Sequence, residues 1–267
     1  LPLPQVPNVG GVVGQAEQLG DDLQQPLQDV RRLRVRELLR THRRELEADP
    51  AGMPIVRSQI LALGMSEAAL ASARAQGFEV VRSDAIDAET AMVTLRAPAG
   101  MSTRRALRRL READSRGVYD FDHLHLESGV GLAITGFAQS GASSGPRIGL
   151  VDSGVNESIH VAVQRGFATD QPVAGAHGTT IAGLLSSAAP GARIYAADIY
   201  GGAPTGGASS ALARALSWLA TENVAVINVS LVGPRNRVVE TIVARLVARG
   251  FVIVAAVGND GPAAAPL

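Results

Sequence analysis

The feature that most constrains this chain is a short apolar run that ends in an acid and turns on a glycine. Residues 148–151 are Ile-Gly-Leu-Val, and Asp152, Ser153 and Gly154 follow. Near-continuous apolar character is typical of a strand buried on both faces of a parallel sheet, and such strands deliver polar side chains to the carboxyl edge of the sheet. We therefore expect Asp152 at a sheet edge that can carry a site.

A histidine opens the helical pattern that comes next. His177 is followed by Gly178 and by Ala, Ile and Leu positions at helical spacing. An aspartate can fix the tautomer and orientation of an imidazole, so that the second ring nitrogen takes a proton from a nucleophile. We interpret Asp152 as the orienting acid and His177 as the general base. Without the other motif, Asp152 would be interpreted as a turn aspartate and His177 as a residue at the start of a helix.

The alternation of apolar strands with amphipathic helices from residue 147 onward predicts the fold class. It is typical of an α/β protein with a doubly wound parallel sheet. The predicted strands are residues 147–152, 192–199, 225–230 and 251–257, and the predicted helices are residues 177–187, 209–222 and 238–248.

A different pattern occupies residues 51–127. Gly64-Met65-Ser66 and Gly100-Met101-Ser102 each end a predicted strand and begin a predicted helix, with the serines as N-caps. The order strand, helix, strand, strand, helix, strand predicts an antiparallel sheet with two helices on one face, which is a small α+β ferredoxin-like domain.

Three segments flank these two units. Residues 1–26 are rich in Pro, Gly and Gln and predict a disordered or extended lead. Residues 27–50 predict an arginine-rich amphipathic helix, whose interleaved acids favour a solvated, salt-bridged face. Residues 128–146 are rich in Gly, Ser and Ala and predict a flexible linker.

Composition limits the function classes. Lys plus Arg and Asp plus Glu both number 25, so bulk charge favours neither nucleic acid nor a membrane surface as a partner. With no cysteine, disulfides and thiolate metal sites are excluded. No apolar run reaches the roughly eighteen residues of a membrane span. The paired glycines before Ala208 lack the lysine of a phosphate-binding loop.

Four motifs together resemble the subtilisin-like serine proteases: Asp-Ser-Gly at Asp152, His-Gly-Thr at His177, Asn-Val-Ser-Leu at Asn228 and Gly-Asn-Asp-Gly at Asn259. The resemblance covers about residues 146–267, and a looser one to the propeptides of these proteases covers about residues 54–127. It implies peptide-bond hydrolysis through an acyl-enzyme. It also implies a propeptide that occupies the cleft of its own protease and is cleaved off within residues 126–146.

The resemblance assigns further roles. Asn259 would donate its amide to the developing oxyanion. Ser230, Leu231, Val232 and Gly233 would form the strand that pairs with an extended peptide substrate. Val232 stands where the family has a glycine, so we expect a narrowed subsite that prefers smaller side chains.

One family motif is missing from residues 1–267. The family's nucleophile lies in a Gly-Thr-Ser segment beyond the asparagine motif, and none of the serines present has that context. Ser209 and Ser210 precede a predicted helix and are interpreted as caps. We therefore expect the nucleophile to come from sequence outside this chain, for example a C-terminal chain, and the chain alone to be an inactive, zymogen-like fragment.

Several alternatives remain open at this point. A degenerate, non-catalytic protease that acts as a binding or folding-partner module fits the same motifs. His123 and His125 alternate on one predicted strand, but no third metal ligand is evident, and we expect neither metal nor cofactor. Calcium sites occur in relatives, but their ligands cannot be matched here. The resemblance implies protein or peptide substrates and a secreted or periplasmic location.

Overall fold

The computed structural model describes residues 31–128 and 145–256, and these form two five-stranded sheets, one two-stranded sheet and six helices. The helices are α1 (residues 31–41), α2 (Glu67–Ala75), α3 (Thr103–Ala113), α4 (Ala176–Ala188), α5 (Ser209–Thr221) and α6 (Arg237–Ala248). The strands are β1 (Leu46–Ala48), β2 (Pro54–Leu63), β3 (Glu79–Ala85), β4 (Ala91–Arg96), β5 (Val118–His123), β6 (Leu126–Glu127), β7 (Arg147–Asp152), β8 (Val163–Gly166), β9 (Arg193–Asp198), β10 (Val226–Val229), β11 (Leu231–Val232) and β12 (Val252–Ala255).

The C-terminal sheet is parallel throughout, in the order β12-β10-β7-β9-β8. Its central strands β7 and β9 are largely buried, and their successive residues point to opposite faces of the sheet. Val151 packs with residues of α5 and α6, whereas the adjacent Leu150 packs with Ala182 of α4. Helices therefore cover both faces, and the predicted doubly wound α/β fold is confirmed.

The N-terminal sheet is antiparallel and joins β3, β4, β2 and β5, with β1 beside the start of β2. Ser66 accepts a hydrogen bond from the Ala69 amide at 3.1 Å, and Ser102 accepts one from the Arg105 amide at 3.4 Å. Both serines thus cap helices α2 and α3 as the sequence predicted. These two helices pack on one face of the sheet, in a cluster that includes Ile60 and Leu107.

The other face of the N-terminal sheet packs on helices of the C-terminal region. Leu61, Leu63 and Met92 belong to the same apolar cluster as Trp218 of α5 and Ile242 of α6. Burying these side chains together is the main hydrophobic contribution that joins the two regions.

The amino-terminal helix is shorter than predicted. The sequence suggested one helix over residues 27–50, but α1 ends at residue 41, and Leu46–Ala48 pairs antiparallel with Pro54–Val56. Leu46 is almost fully buried, so pairing with β2 satisfies the backbone and buries the leucine at once, which outweighs helical propensity. Residues 1–30 lie outside the described residues, as does most of the predicted linker.

Two smaller differences also concern local structure. The edge strand β8 was not predicted, because its Val-Gln-Arg-Gly sequence lacks a strand pattern. Ser209 and Ser210 were interpreted as helix caps, but they are the first residues of α5, and Ala208 occupies the cap position. Among the described residues, no helix has the length and apolar character that a membrane crossing requires.

Candidate active site

Asp152 lies at the carboxyl end of β7, in the middle of the parallel sheet, and is completely buried. Its carboxylate is not left without partners. Oδ1 accepts hydrogen bonds from the Ser153 amide at 2.7 Å and the Ser153 hydroxyl at 3.2 Å. A buried carboxylate that accepts local hydrogen bonds is held in one orientation, which allows it to orient a neighbour.

That neighbour is His177, the second residue of α4. Its Nδ1 lies 2.9 Å from Oδ1 and 2.8 Å from Oδ2 of Asp152, so Nδ1–H donates to the carboxylate. The two residues are 25 positions apart in sequence, with β8 and its flanking loops between them, and the tertiary fold brings them together. The predicted pairing of acid and imidazole is present, and Nε2 is left to face the cleft.

The electrostatics of the pair favour a charged imidazole. The hydrogen bond to Asp152 raises the pKa of His177 above its ordinary value, and the Glu127 carboxylate adds to this effect. Burial acts in the opposite direction but is the smaller contribution. His177 is therefore more basic here than a free histidine, which favours acceptance of a proton.

The glycine after the histidine has a steric reason. A Cβ on Gly178 would lie 2.0 Å from the Ser153 carbonyl oxygen, and the Gly178 amide donates to Ser153 Oγ at 3.0 Å. The start of α4 thus packs directly on the turn after β7. A side chain at position 178 would push the helix away and separate His177 from Asp152.

A second buried acid stands beside the first. Asp198 ends β9 and is in register with Asp152, but its oxygens are used differently. They accept from the backbone amides of Val173, Tyr200 and Gly201 at 2.7–2.9 Å. Asp198 therefore holds two loops in place, whereas Asp152 meets the imidazole.

The cleft beside His177 contains a segment of the chain itself, residues 124–128, which we call the tail. Leu126 and Glu127 form β6 and pair antiparallel with Val232 and Leu231 of β11. The Ser128 amide donates to the Ser230 carbonyl at 3.1 Å, and the Ser128 carbonyl oxygen lies 3.4 Å from His177 Nε2. The tail runs as an added strand whose end reaches the imidazole.

The predicted substrate strand accordingly lies where it can bind a peptide backbone. Ser230, Leu231 and Val232 all contact the tail through main-chain pairing. The Val232 side chain packs with Leu126 and with Val35 of α1. A leucine is thus accommodated beside Val232, and the predicted preference for smaller side chains stays a prediction. Asn259 lies outside the described residues.

One cluster of three potential metal ligands occurs within residues 31–128 and 145–256. Glu127, Asp152 and His177 offer ligand atoms within 4.8 Å of one another. Asp152 and the Nδ1 atom of His177 are already joined by hydrogen bonds, so the donor set fits a proton relay better than a metal. We assign no metal here.

Sequence reasoning missed the tail as a functional segment. The sequence places residues 124–127 at the end of the α+β unit and residue 128 at the start of a linker. Nothing in Leu-His-Leu-Glu-Ser signals cleft binding, because the partners are backbone atoms of Gly207, Ser230 and β11. Only the tertiary fold brings these atoms alongside the tail.

Comparison with known proteins agrees with this geometry. Residues 143–267 match the subtilase family. Over 141 residues the chain is 29% identical to subtilisin E of Bacillus subtilis (strain 168) and 28% identical to a subtilisin of Bacillus pumilus, in each case covering 46% of this chain.

The fold is also similar to that of a solved structure. Fervidolysin from Fervidobacterium pennivorans, described as a keratinolytic enzyme related to subtilisin, superposes with a TM-score of 0.57 at 15% identity. The match covers 76% of this chain and 40% of fervidolysin, and at this identity it speaks for the fold alone. The chain spans 37% of the length of subtilisin E and 51% of that of the Bacillus pumilus relative.

Proposed function

We propose that the protein containing this chain is a subtilase-type serine endopeptidase in precursor form, with residues 51–127 as its propeptide. One observation carries the proposal. The tail pairs with the substrate strand and ends at His177, whose imidazole is held by Asp152. A peptide bound in this way is positioned for attack on the carbonyl of Ser128.

The chemistry follows from the positions of these groups. His177 Nε2 would take the proton of a serine hydroxyl while Asp152 stabilises the imidazolium that forms. The serine oxygen would then attack the substrate carbonyl, and the His177 imidazolium would give its proton to the departing amine as the peptide bond breaks. The resulting acyl-enzyme is hydrolysed by water. By family resemblance, Asn259 would donate to the oxyanion, and the serine would come from a Gly-Thr-Ser segment outside residues 1–267.

The geometry of the tail supports a maturation site at the peptide bond after Ser128. The Ser128 amide is bonded to Ser230, and its carbonyl oxygen faces the imidazole. This narrows the cleavage expected within residues 126–146 to one bond. With Nδ1–H directed at Asp152, a proton on Nε2 would allow a weak bond to the Ser128 carbonyl, as in a bound product.

Two carboxylates of β5 support a propeptide that docks on its own protease. Asp122 accepts from the amide and hydroxyl of Ser210, at 2.9 and 2.8 Å, at the start of α5. Asp120 accepts from the Arg237 amide at 2.7 Å, at the start of α6. Acceptors at helix N-termini satisfy free amides and complement the helix dipole. Docking of residues 51–127 would thus stabilise both helices.

The proposed activity implies protein or peptide substrates for the released protease. Family resemblance further suggests that the protein acts outside the cytoplasm, in a secreted or periplasmic form. Fractionation of the source cells, followed by detection of the processed protein, would test the location.

The activity is tested with the product of the complete gene. We expect a fluorophosphonate probe to label it, and mass spectrometry to find a new amino terminus at Gly129. Asp152→Asn should leave the fold intact and reduce processing and peptide hydrolysis by about 10⁴, because the imidazole loses the acceptor that fixes its tautomer. Glu157→Gln, on an exposed loop, is the control.

A non-catalytic module is the second candidate, and the same experiment separates it. A complete gene product that lacks the Gly-Thr-Ser segment, takes up no probe and keeps the bond after Ser128 intact would favour a degenerate protease that binds peptides. Labelling with processing at that bond would contradict it.

A further inference from the structure

The side chain of His125 in the tail is enclosed by residues that could form a substrate subsite. His125 lies three residues before Ser128, and its ring is almost completely buried between the tail and the C-terminal region. Its amide donates to the Gly207 carbonyl at 2.8 Å, and its carbonyl accepts from the Tyr200 hydroxyl at 3.1 Å. The backbone of His125 is therefore fixed on both sides, which places the ring in one position.

The ring is recognised by a serine whose hydrogen-bond direction can be assigned. Ser209 Oγ donates its single proton to the His123 carbonyl at 3.2 Å. Its oxygen is then the acceptor in the 2.9 Å contact with His125 Nε2, which must carry a proton. Burial lowers the pKa of His125 to about 3, so the ring is neutral with Nδ1 unprotonated. Ser209 Oγ thus accepts a hydrogen bond from the Nε2–H group of a neutral imidazole.

Two glycines leave space for the flat ring and the backbone of His125. A Cβ on Gly233 would lie 2.3 Å from His125 Nδ1, and a Cβ on Gly207 would lie 2.3 Å from the His125 carbonyl oxygen. An apolar cavity of about 140 Å³ adjoins the ring and is lined by Leu212, Leu216, Leu231 and Ile253, among others. Apolar surroundings disfavour a charged imidazole. Phenylalanine, which is flat and apolar, is therefore the side chain that could compete with a neutral histidine for this position.

We propose that Ser209 and Gly233 form a subsite that selects a neutral histidine at the fourth position before the cleaved bond. The preferred substrates would be proteins with histidine three residues before the residue that is attacked. This proposal rests on the proposed endopeptidase activity. Ser209 acts through its hydroxyl oxygen, and Gly233 acts through the space that its missing side chain leaves.

The first test uses the complete, active protein and peptides X-Leu-Glu-Ser-Gly with X as His, Phe or Ala. We expect kcat/KM for His to exceed that for Ala by about tenfold at neutral pH, the factor that one buried hydrogen bond commonly supplies. Ser209→Ala should reduce this ratio toward one, and Ser209→Thr, which keeps a hydroxyl, should retain much of it. Phe equal to or better than His, or an unchanged ratio in Ser209→Ala, would overturn the subsite.

A second test needs no catalysis and therefore separates the two proposals. In the 267-residue chain, amide hydrogen exchange at His125 and Ser128 reports release of the tail. Ser209→Ala should accelerate it about tenfold, and the same change in a His125→Ala background should have little further effect. Equal acceleration in both backgrounds would overturn the subsite. No cleavage of any peptide in the first test would instead count against the endopeptidase.

Discussion

At the residue scale, one hydrogen bond distinguishes two residues that each occupy an ordinary position in the fold. His177 begins a helix and Asp152 ends a strand, and each position is common in α/β proteins. Their contact at 2.8 Å, inside a buried setting, fixes the ring and raises its pKa. Sequence reasoning found both residues because their motifs are local. It did not identify Glu127, whose carboxylate lies near Asp152 and His177 only because of the tertiary fold.

Glu127 should influence the pH at which His177 titrates while the tail lies beside it. Its carboxylate raises the pKa of His177, so Glu127→Gln should lower that pKa and extend the neutral imidazole to lower pH. An NMR titration of the His177 ring in the 267-residue chain measures this directly. Glu157→Gln serves as the exposed control, and an unchanged His177 titration in Glu127→Gln would contradict the assignment.

His125 should make docking of the tail sensitive to acid. Its pKa is about 3 when buried and would return to about 6.5 on release, so the released tail binds a proton that the docked tail excludes. Docking is then fully favoured above about pH 6.5 and weakens roughly tenfold per pH unit as the pH falls toward 3.

Exchange protection of the Ser128 amide, measured from pH 7 to pH 4, should therefore decline more steeply in the wild type than in His125→Gln. The difference between the two proteins isolates His125 from His177, whose raised pKa acts in the opposite direction. Parallel pH profiles would refute the dependence on His125.

At the element scale, helix α1 has a contact that its sequence did not suggest. The interpretation was a solvated, arginine-rich helix, and its arginine faces are indeed exposed. Val35, however, is 7% exposed and packs with Leu126 of the tail and Val232 of β11. Because Leu38 and Leu39 join this cluster, α1 packs on both the tail and β11.

We expect Val35→Asp to loosen the tail. A carboxylate at this position would be buried against two apolar side chains, and its desolvation should favour opening by about tenfold or more. Exchange at the Leu126 and Ser128 amides would report it. Leu33→Asp on the same helix, where the side chain is 60% exposed, should have little effect. Equal acceleration of exchange in both variants would contradict the packing of α1 on the tail.

At the scale of the whole molecule, the two regions share one apolar core. Leu61 of the N-terminal sheet and Trp218 of α5 belong to the same buried cluster, and the chain contains a single tryptophan. A shared core of this kind couples the unfolding of its parts. The molecule should therefore unfold in one cooperative transition.

Leu61→Ala should lower the free energy of unfolding by roughly 2–5 kcal/mol, since it removes a fully buried side chain from the shared cluster. Denaturant curves followed by Trp218 fluorescence and by circular dichroism should shift together. Val81→Ala, at a position 42% exposed on the same sheet, should change little. Separate fluorescence and dichroism midpoints would contradict the shared core.

The sequence by itself determined the parallel sheet, the helix caps at Ser66 and Ser102, and the identities of Asp152 and His177. These depend on local patterns, namely apolar runs, capping hydroxyls and motif spacing. The tertiary structure alone decided that the tail lies in the cleft, that Ser209 faces His125 and that α1 ends at residue 41. The reason is physical: these contacts join residues far apart in sequence through backbone atoms and shared burial, and neither leaves a local pattern in the chain.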